Sequence, residues 1–288
     1  MIFAIAPALL SREFIKQYER TAQPRLLCMP LTHTLGDVTV IALSDGEGPF
    51  FLPRKKAFPQ ATDEHWRLAD ERYPGAVTPD GEWLLRFRCF AIRRDDDVIL
   101  VDTGIGPANS PAANWAPVPG RLPDELAAAG IDPADVRTVV LTHLHTDHCG
   151  WAVVDTPYFP NAEYLLQRAD ADAVDELNPA LRERLLAPLA DAGQLRLVEG
   201  ETKIRPGVTA VHTPGHTPGH QAVLIEYADK PTLITGDLLV HAVQIVAPDL
   251  AYTFEMDPGA ARESRANLIA PGVVLASAHL PEPFTPIS

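Results

Sequence analysis

Four side chains of types that bind transition metals fall close together in one segment: His143, His145, Asp147 and His148. They follow a β-branched apolar run at residues 138–141, which reads as a short buried strand, and Cys149-Gly150 closes the loop. Because alternate side chains of an extended segment share a face, His143, His145 and Asp147 are expected to point one way, and a turn would return His148 to them. Two adjacent ions could divide these ligands, and the set suits zinc.

A histidine-rich surface loop, or hydrogen-bonded core histidines, would be the ordinary explanation of a single His-x-His pair. The complete His-x-His-x-Asp-His pattern argues against that explanation, and so do further metal-binding residue types at the ends of other predicted strands. These are Asp102 after an apolar run, His216 in the Pro/Gly-rich turn at 213–220, Asp237 in Thr235-Gly236-Asp237, and the late His279.

Together these motifs resemble the metallo-β-lactamase superfamily, in its order and over roughly residues 36 to 280. The stretches 148–151 and 236–244 look most similar to the branch that contains bacterial lactonases and methyl-parathion-hydrolase-like enzymes. The resemblance implies a four-layer αβ/βα sandwich, whereas the alternating helix and strand patterns alone predict only a mixed α/β (α+β) fold.

The resemblance also implies a ligand set. One metal ion would be held by His143, His145 and His216, the other by Asp147, His148 and His279, with Asp237 bridging the two. Asp102 is expected to hydrogen-bond a metal-binding imidazole and fix its orientation, and Thr142 and His220 are expected to support the ligands in the same way.

The implied cofactor is a pair of divalent metal ions, with zinc expected and manganese or iron as alternatives. His145 stands where di-iron, oxygen-reducing relatives carry Glu, which favours hydrolytic zinc. Two cations lower the pKa of a shared water toward ~7, so hydroxide can attack without a Ser or Cys nucleophile. Asp147 is the predicted catalytic residue, which would pass a proton to the leaving alkoxide.

The resemblance favours hydrolysis of a lactone or another carboxylic ester, including acyl-homoserine lactones. Such lactonases carry a Tyr three residues after the bridging Asp; here that position is Val240, and Tyr252 is a candidate replacement. The alternative hydrolase substrate is a phosphotriester or aryl ester, as for methyl-parathion hydrolases. A non-catalytic metal-binding role also stays open, although structural zinc sites are usually closed, mononuclear and rich in Cys.

Composition limits the organisation and the partners of the chain. Its 288 residues, 46% of them hydrophobic, predict an N-terminal arm at 1–30 and one domain at 31–288. A helix at 11–20 could cover a dimer partner or the pocket mouth, so a homodimer is one expectation. The net charge of −14 argues against nucleic acid and an anionic membrane as partners. An odd number of cysteines and the lack of a signal-like segment predict a cytoplasmic protein.

The expected order of elements begins with a first strand at 38–43. An irregular, aromatic-rich insertion at 44–81 follows, and we expect it to form a lid or an apolar pocket wall, or to pack on its own domain. Phe50, Phe51, Trp151 and His241 are the candidate pocket residues. The later predicted elements are hairpins at 84–102 and 221–235, helices at 122–130, 169–177, 179–192 and 258–270, and strands at 138–141, 162–167, 195–198, 208–212 and, last, 273–275.

Overall fold

The computed structural model describes residues 29–227 and 230–288, and the strands of this part form two sheets. The first sheet has seven strands in chain order, and its last four are parallel to one another: β1 (Thr32–Leu35), β2 (Val38–Pro49), β3 (Leu84–Arg94), β4 (Asp97–Val101), β5 (Val136–Val140), β6 (Glu163–Gln167) and β7 (Leu195–Val198). The second sheet has six: β8 (Thr202–Arg205), β9 (Val208–His212), β10 (Gln221–Ile225), β11 (Thr232–Ile234), β12 (Val274–Ala276) and β13 (Phe284–Pro286). Within it β11 and β12 are parallel.

The α-helices of the described chain are short: α1 (Arg54–Ala57), α2 (Asp63–Arg72), α3 (Leu122–Ala128), α4 (Arg168–Asp172), α5 (Val174–Leu177), α6 (Ala187–Asp191), α7 (Val243–Val246) and α8 (Pro258–Leu268). A π-helical turn, Arg182–Leu186, leads into α6. Thr62 caps α2 by accepting from the His65 backbone N–H, and Asp257 caps α8 in the same way. Among the described residues, none of the helices has the length and apolar character that crossing a bilayer requires.

Alternation along the strands divides the core into layers. In β2, Ile41 and Leu43 join the core that also contains Leu122 and Leu126 of α3, while the alternate residues Val38, Val40 and Ala42 join a second core on the opposite face. That second core lies between the sheets, since it combines residues of β2, β3 and β4 with residues of β9, β10 and β11. A further core joins β10, β11 and β12 to residues of α7 and α8. The order helix, sheet, sheet, helix confirms the predicted four-layer αβ/βα sandwich.

The strand predictions near the two ends of the domain were wrong in part. A strand, β1, precedes the predicted first strand, and β2 continues to Pro49 through a register shift between Ser44 and Gly46, where we expected irregular chain. β13 follows the strand predicted as last, and β8 was missed. The two predicted hairpins and the helices near 122–130 and 258–270 are confirmed.

The insertion between β2 and β3 begins after Pro49, because residues 44–49 belong to β2. It packs on its own domain: the buried side chains of Phe58, Trp66 and Trp83 share a core with Val243 and Tyr252. The predicted helix at 11–20 lies outside the described residues.

Candidate metal centre

The candidate site lies at the edge of the sandwich where strands of both sheets end. The parallel strands β4 and β5 end at Val101 and Val140, and the parallel strands β11 and β12 end at Ile234 and Ala276. The residues that the sequence predicts as metal ligands or their supports follow the ends of these four strands, and the turn between β9 and β10 adds His216 and His220. Because both sheets contribute, residues far apart in the sequence meet at one edge.

The first cluster of possible ligands consists of His143, His145, His216 and Asp237, whose ligand atoms all lie within 4.8 Å of one another. The Nδ1 atom of His145 is 2.9 Å from the Nε2 of His143 and 2.9 Å from the Nε2 of His216. These side chains are buried except for that of His145, which is partly exposed. Three ring nitrogens therefore converge on one small volume.

The second cluster consists of Asp147, His148 and His279, again within 4.8 Å. The Oδ2 of Asp147 is 3.4 Å from the Nε2 of His148 and 3.5 Å from the Nε2 of His279. The loop that carries His143, His145 and Asp147 leaves the strand conformation after Val140 and turns at 146–149. That turn carries Asp147 to the second cluster together with His148.

Asp237 lies between the clusters and presents one oxygen to each. Its Oδ2 is 3.1 Å from the Nε2 of His216 and 3.8 Å from the Nε2 of His143. Its Oδ1 is 3.2 Å from the Nε2 of His148 and 2.9 Å from the Nε2 of His279. One carboxylate thus reaches ring nitrogens of both groups, as a bridging ligand must.

The protonation of the first cluster fits a cation. Burial, and after it the neighbouring imidazoles, holds the pKa of His143 well below its usual range. Burial and the imidazole of His216 lower the pKa of His145 to about 3, so both rings are neutral near pH 7. A single proton can join only one of the two close N···N pairs at His145 Nδ1, whereas a metal ion could accept all three lone pairs.

Asp102 and Thr142 hold imidazoles of both clusters. The Oδ2 of Asp102 is 2.8 Å from the Nδ1 of His148 and accepts a hydrogen bond of 2.9 Å from the Thr142 hydroxyl. That hydroxyl lies 3.0 Å from the Nδ1 of His143. Asp102 has a φ of +61°, a left-handed conformation that is uncommon for a residue with a side chain, so the backbone is strained at this contact.

The remaining supports come from more distant parts of the chain. The Nε2 of His220 accepts a 2.9 Å hydrogen bond from the backbone N–H of Asp237. The Nδ1 of His279 donates to the carbonyl of Arg86 in β3 at 2.6 Å, which leaves its Nε2 facing the cluster. Each contact holds a candidate metal ligand through an atom that does not face the cluster: the backbone N–H of Asp237 and the Nδ1 of His279.

Sequence reasoning missed Arg88, a buried guanidinium in β3 that donates to the carbonyls of Ser277 (3.3 Å) and Pro281 (2.6 Å) on either side of His279. Burial, and then the nearby Arg86, lowers the pKa of Arg88 to about 9. The available signal was an Arg inside a largely apolar strand, because a buried Arg needs hydrogen-bond partners and so indicates a specific structural role.

A chain of aromatic contacts, here called the aromatic arc, joins a histidine of the first cluster to a histidine of the second. Tyr252 stacks on His216 with ring centroids 6.2 Å apart and contacts Phe254, which is 6.1 Å from Phe51. The arc continues to the second cluster through Phe51–Trp115 (6.1 Å), Trp115–Phe87 (5.6 Å) and Phe87–His279 (6.0 Å). Phe51 is 44% exposed, so the arc presents apolar surface beside the buried ligands.

The predicted pocket residues divide into two groups. Phe51 is part of the aromatic arc, and Phe50 packs on it with ring centroids 4.3 Å apart. His241 was misplaced by the prediction: it is buried among Phe58, Trp66 and Trp83, and its Nδ1 accepts from the Val243 N–H at 3.0 Å. Trp151 donates to Asp45 at 3.2 Å and packs on Tyr158. The ring contacts of His241 and Trp151 are with other aromatic side chains and not with a member of either cluster.

The fold and the site define a class of protein: a four-layer αβ/βα sandwich with two adjacent His/Asp clusters, able to hold metal ions, at one edge. The family model of the metallo-beta-lactamase superfamily matches residues 88–276, and the chain belongs to that superfamily.

Individual relatives agree with this membership. The chain is 33% identical to an N-acyl homoserine lactonase of a Bacillus species over 176 residues, which are 56% of this chain and 67% of the relative. The match to an N-acyl homoserine lactonase of Bacillus thuringiensis covers 62% of that relative. The chain therefore matches only part of the length of these relatives. The crystal structure of the hydrolase AbOPH shares the fold with a TM-score of 0.74 and 24% identity, covering 92% of this chain and 99% of that one. The structure of AidC, described as a dizinc quorum-quenching lactonase, shares the fold with a TM-score of 0.71 and 21% identity, covering 91% of this chain and 95% of that one.

Proposed function

We propose that this chain is a metal-dependent hydrolase that opens lactones, with N-acyl homoserine lactones as the substrate class. The similarity to N-acyl homoserine lactonases supports the substrate class. The position of Asp237, one oxygen toward each His-rich cluster, is the observation that carries the proposal of a metal pair. A set of imidazoles and carboxylates without a thiolate suits zinc, with manganese or iron as alternatives.

In this proposal His143, His145 and His216 would hold one ion and Asp147, His148 and His279 the other, and Asp237 would offer one oxygen toward each. A pair of divalent cations, when bound, polarises an ester carbonyl and supplies hydroxide from water near neutral pH. The chain's own residues then place the substrate and move the proton. Asp147 is the proposed proton carrier, since its carboxylate faces His148 and His279, the two rings that Asp237 also reaches.

Tyr252 is the group that we propose to act in place of the Tyr absent at Val240. Its ring lies on His216, and it is 6% exposed. Burial, and after it the charges of Asp237 and Asp147, raises the pKa of Tyr252 well above its usual range, so the phenol keeps its proton. A protonated hydroxyl near both carboxylates can donate a hydrogen bond to the substrate carbonyl oxygen as negative charge develops there.

The aromatic arc would bind the apolar part of the substrate. An acyl chain or an aryl ring laid along Phe51, Phe254 and Trp115 would extend from an ester group that is held at the clusters. Because an arc of rings also suits an aryl leaving group, a phosphotriester or aryl ester of the methyl-parathion type is the second candidate substrate.

The proposal is tested by a substrate panel on zinc-loaded protein: N-hexanoyl homoserine lactone followed by pH-stat, a 4-nitrophenyl ester and a phosphotriester followed by absorbance. Ring opening releases one acid per lactone, and we expect lactone turnover to exceed that of the other two. Turnover of the phosphotriester alone would transfer the function to the second candidate. Two bound ions per chain without turnover of any substrate would favour the non-catalytic metal-binding role.

A reducing, cytoplasmic location is proposed on the cysteines. Cys89 and Cys149 are free and buried, and burial raises the pKa of Cys149 to about 12, so neither thiol is poised for disulfide chemistry.

A further inference from the structure

Asp170, in the first turn of α4 directly after β6, is a fully buried carboxylate that does not belong to either cluster. Its Oδ2 accepts hydrogen bonds from the backbone N–H of Leu144 at 3.0 Å and from the hydroxyl of Thr217 at 2.9 Å. Its Oδ1 accepts from the backbone N–H of Gly219 at 2.6 Å. The carboxylate of Asp170 therefore connects two loops, one that contains Leu144 and one that contains Thr217 and Gly219.

Both loops carry ligands of the first cluster. Leu144 stands between His143 and His145, and Thr217 directly follows His216. The first loop leaves β5 of one sheet and the second leaves β9 of the other, so the strand ladders alone do not set their separation. Gln221 adds another tie between the loops, because its backbone N–H donates at 2.9 Å to the carbonyl of Thr142, the residue before His143. On the second loop, however, Gln221 lies five residues beyond His216, whereas Thr217 directly follows that ligand.

The surroundings of Asp170 are built for this contact. A Cβ on Gly219 would lie 2.5 Å from the backbone nitrogen of Asp170 and 2.9 Å from its Oδ1, so the second loop can approach this closely only with glycine there. The hydrogen-bond partners of Asp170 within the described residues are N–H and O–H donors and not a Lys or Arg side chain. An ionised carboxylate that is buried without a cationic partner has to be stabilised by such donors.

We propose that Asp170 is a positioning residue that sets the separation of His216 from His143 and His145, and thereby the metal affinity of the first cluster but not of the second. This inference rests on the proposed metal-binding role of the clusters and is independent of the substrate. Partners that orient ligands without touching the metal commonly change affinity by about 10- to 100-fold when they are removed.

The test measures zinc affinity in two backgrounds that isolate one cluster each. His279→Ala leaves the first cluster as the complete site, and His216→Ala leaves the second. Zinc binding is measured by elemental analysis after dialysis against graded chelator, and circular dichroism of the metal-free proteins reports folding. We expect Asp170→Asn to weaken zinc binding about 10- to 100-fold in the His279→Ala background and to leave it unchanged in the His216→Ala background.

Two further comparisons separate positioning from general damage. Asp45→Asn is the matched control, because Asp45 is also buried and accepts from the backbone N–H groups of Ile105 and Leu122 and from Trp151, none of which lies between the ligands of the first cluster. We expect it to leave first-cluster affinity unchanged. Thr217→Val removes one donor to Asp170 with little change of shape and should weaken the first cluster several-fold, while Thr217→Ser should restore it. This pair carries the test if Asp170→Asn does not fold.

Equal loss of zinc in both backgrounds, or unchanged first-cluster affinity in Asp170→Asn and Thr217→Val, would overturn the inference. Absence of lactone turnover in a wild-type protein with two bound ions would instead overturn the proposed function and leave this inference standing.

Discussion

The two clusters carry similar ligands but are held in place by different parts of the fold. The first cluster combines loops from both sheets, and Asp170 ties those loops together through N–H and O–H donors. The second is anchored on β3, where the Arg86 carbonyl accepts from His279 and Arg88 holds the chain on either side of it. Asp102 and Thr142 support both clusters, but Asp170 and Arg88 each support one of them, so we expect the two clusters to be weakened separately by substitution.

Asp237 is the element common to both clusters, so its replacement should have the largest effect. We expect Asp237→Ala to reduce bound zinc below that of the wild type at both positions and to abolish lactone hydrolysis, because one oxygen is lost from each cluster. Elemental analysis and pH-stat rates measure the two effects. His145→Ala provides the comparison, since it should abolish hydrolysis while the second cluster keeps its three ligands. Near-normal turnover of metal-free protein would contradict this account.

Arg88→Met should weaken zinc binding at the second cluster and not at the first. Without the guanidinium the carbonyls of Ser277 and Pro281 lose their donor and His279 is no longer held, so we expect zinc affinity of the second cluster to fall about 10- to 100-fold with the first unchanged. The measurement is zinc retention in the His216→Ala background. Arg93→Met is the control, because Arg93 lies on the same strand but donates to Ala129 at 3.1 Å, away from the site. An equal effect of the two variants would count against a specific role.

Tyr252→Phe should lower turnover while both ions stay bound. Removal of a donor to a developing negative charge typically lowers kcat about 100-fold or more, and we expect about 100-fold here with little change in zinc content. Steady-state kinetics on the lactone and elemental analysis measure the two quantities. Because the ring and its stacking on His216 are kept, unchanged kcat would exclude the hydroxyl from the reaction.

Phe51→Ala should have the smallest effect and should depend on the substrate. Phe51 is 44% exposed, so its loss removes about 1 kcal/mol of apolar contact with a bound acyl chain, or roughly fivefold in KM. We expect this increase for decanoyl homoserine lactone and much less for the butanoyl compound, with kcat retained. The same increase for both chain lengths would mean that the aromatic arc does not bind the acyl group.

Much of the site could be predicted from sequence because its residues stand in short motifs at strand ends. His143, His145, Asp147 and His148 come from one loop, and apolar runs mark the strands that place Asp102 and Asp237 beside it. The detailed course of the loop after Val140 could not be predicted, since it depends on long-range hydrogen bonds such as that from the Thr103 N–H to the His148 carbonyl at 2.6 Å.

The supporting residues could not be predicted for a different reason. Asp170 and Arg88 lie outside the motifs, and each acts through a partner far away in sequence, for example Arg88 through Pro281. Tyr252 could be named as a candidate, but no sequence pattern places it against His216. The same holds for the edges of the fold: β8 and β13 are short strands that form against β9 and β12, with little apolar alternation of their own. The arrangement of His241 follows from the packing of the insertion, which local patterns do not reveal.

Anomalous diffraction from crystals of the zinc-loaded protein, recorded on either side of the zinc edge, tests the central claim most directly. The account predicts two peaks about 3.5–4 Å apart, one at each cluster, with Asp237 between them. A single peak outside the two clusters, or none in protein that elemental analysis shows to contain zinc, would contradict it.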